Sequence, residues 1–257
     1  MFAKATLSEL EIDDEESFRH VGLYADLREI VRAGGLEFLV PSTPISFDRA
    51  LLLNLAFWEP GTSDVLSSRS IDADVVAHVA WHALAERHLG KGTTAQLLGE
   101  AIASAFDLYL VGRLLGHSAD STFLASQVPR MAEVADEAGM DPDAFEALLQ
   151  DIAARPENAF EELRQLLFDV SVALSTETTP LGAAGVLARF DVHRLAPLLH
   201  HYELATWILR ARAEHVATGD QVDAEAKRVD GALRSASDSI AWLEKHWVRR
   251  ALEASGK

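Results

Sequence analysis

Apolar residues recur every third or fourth position through most of the chain, and glycine and proline cut that rhythm into segments. The clearest segment is Asp72 to Leu89. Val75, Val76, Val79, Ala80, Ala83 and Leu84 fall on one face of a helix, Asp72 stands where a cap belongs, and Gly90-Lys91-Gly92 ends it. Thr93 and Gln96 fit a capping box for a second helix that runs to about Leu115. Upstream, Glu15 to Ala33 reads as a helix stopped by Gly34-Gly35, after a polar lead-in with a short strand near Ala5 to Leu10. Leu36 to Val40 is broken by Pro41 and Pro44. The apolar run LLLNLAFW, bounded by Pro60-Gly61, is short enough for a buried strand or a short helix, and the turn signal behind it favours a strand.

The second half reads as helix almost throughout. Asp141-Pro142, Arg155-Pro156 and Thr179-Pro180 each place proline at a first helical turn. Asp191 to Val216 and Gln221 to Ala254 read as two long helices joined at Gly219-Asp220, an antiparallel hairpin. No internal repeat and no low-complexity linker interrupts the chain. The pattern predicts a mainly α protein with a small β element near residues 36–58. It forms a single unit, with sublobes 1–120 and 121–257 meeting near Ser118 to Pro129.

Composition narrows the partners. The 257 residues are 49% hydrophobic and 25% charged, enough to bury a real core. Lys and Arg number 23 against 40 Asp and Glu, so the net charge is −17. Such a surface repels phosphate backbones and anionic lipid, which argues against nucleic acid and membrane surfaces and leaves a protein or small molecule as partner. There is no cysteine, so disulfides, thiolate metal sites and cysteine nucleophiles are excluded. The first residues do not spell a signal peptide and no apolar run is long enough to span a membrane, which points to the cytoplasm.

One constellation carries chemistry. His78 and His82 lie four apart, so both imidazoles can face one metal ion. Asp74 and Glu86 extend the same stripe by a turn in each direction, at the border of the apolar face. On the next helix Glu100, Ser104 and Asp107 form an edge stripe of their own. Two imidazoles, one carboxylate and a water make a four-coordinate zinc site with an open position, and Asp74, Glu86 and Asp107 are candidates to orient the imidazoles. Ten histidines placed at random would give about 0.4 such pairs, so the helix order carries more weight than the spacing.

The succession of strand, turn, His-x-x-x-His helix, loop and glutamate helix over residues 50–116 resembles the core of the gluzincin, or thermolysin-like, metallopeptidases. The resemblance implies a degenerate zincin-like α+β core followed by a C-terminal helical lobe. It also implies zinc or a similar divalent ion held by His78, His82 and Glu100. The family's general base follows the first histidine, and that position here is Val79, which cannot accept a proton. The resemblance therefore implies metal binding without ordinary peptide hydrolysis. The alternative is a non-enzymatic helical interaction protein.

Three weaker patterns are set beside it. His200 and Glu203, with Trp207 a turn later, could help bind a metal in a bundle, but read more simply as a polar patch. Gly116-His117-Ser118-Ala119-Asp120 has the serine of a nucleophile elbow but neither the preceding strand nor the final glycine. Trp242, His246 and Trp247 suit packing within the chain more readily than an interface.

Overall fold

The computed structural model describes residues 2–43, 50–52, 63–214 and 221–256. It is mainly helical. Strand β1 (Phe2–Thr6) leads into a 3-10 turn (Leu7–Glu9) and then β2 (Glu11–Asp13). The expected strand near Ala5 to Leu10 thus lies earlier in the chain. Thr6 and Glu9 form a capping box, with the Thr6 backbone N–H donating to Glu9 Oε2 at 2.8 Å, and this curls the chain out of the sheet. Helix α1 (Tyr24–Ala33) is shorter than Glu15 to Ala33, because Ser17–His20 winds as a 3-10 helix ahead of it. Phe18 and Val21 are buried all the same, so the apolar pattern reports burial here and not α geometry.

Strands β3 (Glu37–Pro41), β4 (Ala50–Leu52) and β5 (Asp64–Leu66) complete a four-stranded sheet in the order β1-β3-β5-β4. β1 and β4 lie antiparallel to their neighbours, and β3 and β5 are parallel. The start of LLLNLAFW is therefore an edge strand, and residues 53–58 lie outside the described residues. Strand β6 (Ser70–Asp72) pairs in parallel with β2 and runs directly into α2 (Ala73–Leu89). Neither β5 nor β6 stands out in the sequence, since three-residue strands carry too little alternation to read.

Helix α3 (Thr93–Leu114) is the axis of the molecule. It is apolar nearly all round and is buried over most of its length, as a helix packed on every side must be. It packs most extensively against α2 and against α6 (Pro156–Ser175), and also against α5 (Pro142–Ala154) and α9 (Gln221–Ser235). Two glycines allow this. A Cβ on Gly99 would lie 2.9 Å from Ala85 Cβ on α2, and one on Gly112 would lie 2.7 Å from the Ile152 carbonyl oxygen on α5. The capping box expected at Thr93 and Gln96 is not formed. Gly92 is the N-cap, and the Thr93 hydroxyl donates to the Ala211 carbonyl of α8 (Leu204–Glu214) at 3.4 Å.

The three proline-led starts are observed, at α5, α6 and α7 (Pro180–Phe190). The expected boundary at Ser118 to Pro129 overlaps the first half of α4 (Thr122–Glu137), whose start is tied to the N-terminal region. The Ser121 hydroxyl and the Phe123 backbone N–H donate to Asp14 Oδ2 at 2.7 and 3.1 Å. The two long C-terminal helices are each interrupted. In Asp191 to Val216 a 3-10 helix (Ala196–Tyr202) and Glu203, in the left-handed region, precede α8. Gln221 to Ala254 is α9, then α10 (Ser239–Leu243), a π turn (Glu244–Val248) and α11 (Arg249–Ala254), with Asp238 capping the restart. The Gly219-Asp220 turn lies outside the described residues. Among the described residues no helix is long and apolar enough to cross a membrane.

Candidate metal centre

Helices α2 and α3 present four polar side chains to one another. His78 and His82 project from α2 one turn apart, and the small pair Gly99 and Ala85 lets α3 approach closely enough for Glu100 to reach both. His82 Nε2 lies 3.1 Å from His78 Nε2 and 3.2 Å from Glu100 Oε2, and His78 Nε2 lies 3.7 Å from Glu100 Oε1. Tetrahedral zinc with bonds of ~2.0–2.2 Å sets its ligand atoms roughly 3.3–3.6 Å apart. The three separations straddle that range, so the triad fits one ion with modest adjustment. All three residues' ligand atoms lie within 4.8 Å of one another, and among the described residues this is the one such group of His, Asp and Glu that could hold a metal ion.

Asp107 stands behind His78. The His78 Nδ1–H donates to Asp107 Oδ2 at 3.3 Å, which turns Nε2 toward His82 and Glu100. A carboxylate that holds the far nitrogen of a ligating imidazole is a recurrent feature of metal sites. Burial alone would push the His78 imidazole down. The Asp107 charge and hydrogen bond, with the charges of Glu100 and Asp74, outweigh that and raise it to about 9. The neighbouring carboxylates thus favour the charged form of this imidazole. The side chains of His78, His82 and Glu100 keep 14, 13 and 11% of their surface exposed, so solvent still reaches the group.

The other predicted residues separate. Asp74 is buried one turn before His78, in place to act on it through charge. Glu86 is exposed and pairs with Lys91 at 2.7 Å, because the helix stripe has turned outward by that point. Ser104 is buried between Glu100 and Asp107. Val79 is buried in the core, away from any role with water.

The weaker patterns resolve into packing. His200 and Glu203 are both exposed, and the 3-10 geometry with the left-handed Glu203 removes the helical register that would have joined them. The Ser118 hydroxyl donates to the Ser17 carbonyl at 3.0 Å. Trp242 stacks on His246 with ring centres 4.3 Å apart, and Trp247 stacks on His88 at 5.1 Å.

Two residues beside the centre were not singled out from sequence. His201 and Tyr202 end the 3-10 helix, and both sense the charge of Asp107. Burial pushes the His201 imidazole down, and burial with the Asp107 charge pushes the Tyr202 phenol up, so both stay neutral. The signal that could have found them is the aromatic doublet beside the LLHH run, but its register depends on a 3-10 helix the pattern does not announce.

The chain matches no family model, no curated protein and no solved structure.

Proposed function

We propose that this is a cytoplasmic metal-binding protein in which His78, His82 and Glu100 hold zinc or a similar divalent ion. The observation that carries this reading is the convergence of three ligand atoms from two helices at separations near those of a tetrahedral site. Asp107 supports it by orienting His78. A bound divalent ion would polarise a water or a substrate oxygen at the open position. The comparison with the gluzincin core stays part of the proposal, since α2 follows a strand and α3 supplies the glutamate. Ordinary peptide hydrolysis is not proposed, because Val79 offers no proton acceptor and its side chain is buried.

The test is elemental analysis of untagged protein together with a casein assay. One zinc or similar ion per chain, with casein cleavage at or near background, supports the reading. Metal-free protein that takes up none on titration ends it. Robust metal-dependent cleavage would show that another residue transfers the proton, a step worth on the order of 10²–10⁴ in rate.

A second reading is a non-enzymatic helical interaction protein. Leu181 on α7 and Val192 just beyond it favour it, since they are 85 and 94% exposed where a packed helix would cover them.

A further inference from the structure

Two histidines distant in the chain meet at the surface. His20 is the last residue of the 3-10 helix Ser17–His20, and His117 lies in the turn after α3, just past Gly116 at φ 80°. Both residues are exposed, and their rings stand 5.8 Å apart, centre to centre, with planes tilted by 33°. The backbone that carries them is fixed from several sides. The Ser118 hydroxyl donates to the Ser17 carbonyl at 3.0 Å, and the His117 backbone N–H donates to the Leu114 carbonyl at 3.0 Å. Asp14 accepts from the hydroxyls of Ser17 and Ser121 and from the Phe123 backbone N–H, which ties together the two segments that bear the pair. Phe18 and Phe123, from the same two segments, are buried and meet edge to face at 5.9 Å. Imidazoles brought together by ordered backbone lose only their own rotamer freedom when they share a ligand.

The spacing of the rings suits one ion. An ion bonded to a ring nitrogen at ~2.0–2.1 Å lies roughly 3.2 Å from that ring's centre, so two imidazoles on one ion have centres roughly 4.5 Å apart at a right angle and roughly 6.4 Å apart when opposed. The observed 5.8 Å lies within that span, as does the 4.9 Å between the rings of His78 and His82. We infer that His20 and His117 form a second metal site, a solvent-exposed clamp of two imidazoles for a divalent transition-metal ion, with water at its other positions. Imidazole donors and the general order of divalent affinities make copper(II) the tightest occupant, ahead of nickel(II) and zinc(II). The site is separate from the α2 and α3 centre and does not depend on it. An ion held there bridges the 3-10 helix and the turn after α3, so it stabilises the folded chain in which the two rings meet.

The test is a copper(II) titration, followed by competition with a chelating indicator. It is run on the His82→Ala variant, whose α2 and α3 centre lacks one imidazole, and on the same chain carrying His20→Asn, His117→Asn or both. Loss of either imidazole turns a chelate into a single contact and is expected to weaken this copper on the order of a hundredfold. The double replacement is expected to weaken it little further, under about threefold, because the first already breaks the chelate. Copper affinity unchanged by either replacement, or two replacements whose effects simply add, would overturn the inference. If the His82→Ala chain does not fold, substoichiometric copper(II) is added to wild-type protein and the ring-proton resonances of His20 and His117 are followed. Paramagnetic broadening of both together is the expected result, and broadening of one without the other would overturn the shared site.

Discussion

At the scale of residues, the centre depends on how one imidazole is held. His78 has two nitrogens with different work: Nδ1–H is committed to Asp107 and Nε2 faces His82 and Glu100. Removing the Asp107 charge while keeping its shape frees the ring to rotate and weakens its basicity. Asp107→Asn should therefore weaken zinc binding by roughly 10–100-fold with the helical circular dichroism unchanged. Competition with a chelating indicator measures this, and an affinity equal to wild type would show that Asp107 is only a neighbour. The grouping of His78, His82 and Glu100 was readable in the sequence because helical spacing fixes which residues share a face. Glu86 was included by the same rule and departs from the site, since the stripe it extends has turned toward solvent and Lys91 by that residue. Tyr202 and His201 were hidden because their placement depends on packing between segments distant in the chain.

At the scale of elements, the site requires a close crossing of α2 and α3. Gly99 provides it, next to Glu100 and against Ala85. Gly99→Ala gains helix propensity of about 1 kcal/mol, yet its methyl would meet Ala85 Cβ at 2.9 Å, and overpacking of that kind costs about 1–3 kcal/mol. The variant should lose more zinc affinity than global stability, and Ala85→Gly in the same chain should restore part of both. A double-mutant cycle in urea and in zinc titration measures the coupling, and additive effects would mean that the two positions do not meet. The start of α4 carries a second element-scale prediction. Burial raises the Asp14 carboxyl, but hydrogen bonds from Ser17, Ser121, the Phe123 backbone and Thr122 outweigh it and hold the group below its usual range. A lowered carboxylate stabilises above its unfolded value near ~3.9, and that stabilisation is lost as pH falls through the folded value. Asp14→Ala should cost about 1–3 kcal/mol at neutral pH. The gap to wild type should close as pH falls below ~4. A gap that stays constant down to pH 3 would mean that charge plays no part. The proline-led helix starts and α2 were legible because each has a local signal. Asp14 capping a helix more than a hundred residues away has none, and neither has the break after α9, where only Asp238 marks a restart.

At the scale of the whole molecule, helices α2, α4, α5, α6, α8 and α9 pack around α3, and the candidate centre lies where α2 flanks that axis. The sheet was legible only in outline: a β element before residue 58 is present, but its strands are too short for alternation to set their limits, and the parallel pairing of β3 with β5 joins segments whose link the pattern does not describe. The expected division into sublobes at residue 120 is crossed by the contacts of Asp14 with Ser121 and Phe123 and of Ser118 with Ser17. The net charge of −17 adds a field that draws cations toward the molecule as a whole, which suits a metal centre. The most direct measurement of the central claim is anomalous diffraction at the zinc edge from crystals of untagged protein grown with one equivalent of zinc. The account predicts one dominant peak within ~2.0–2.2 Å of His78 Nε2, His82 Nε2 and a Glu100 oxygen. A zinc peak elsewhere on the molecule, with these three side chains at their metal-free separations, would contradict it.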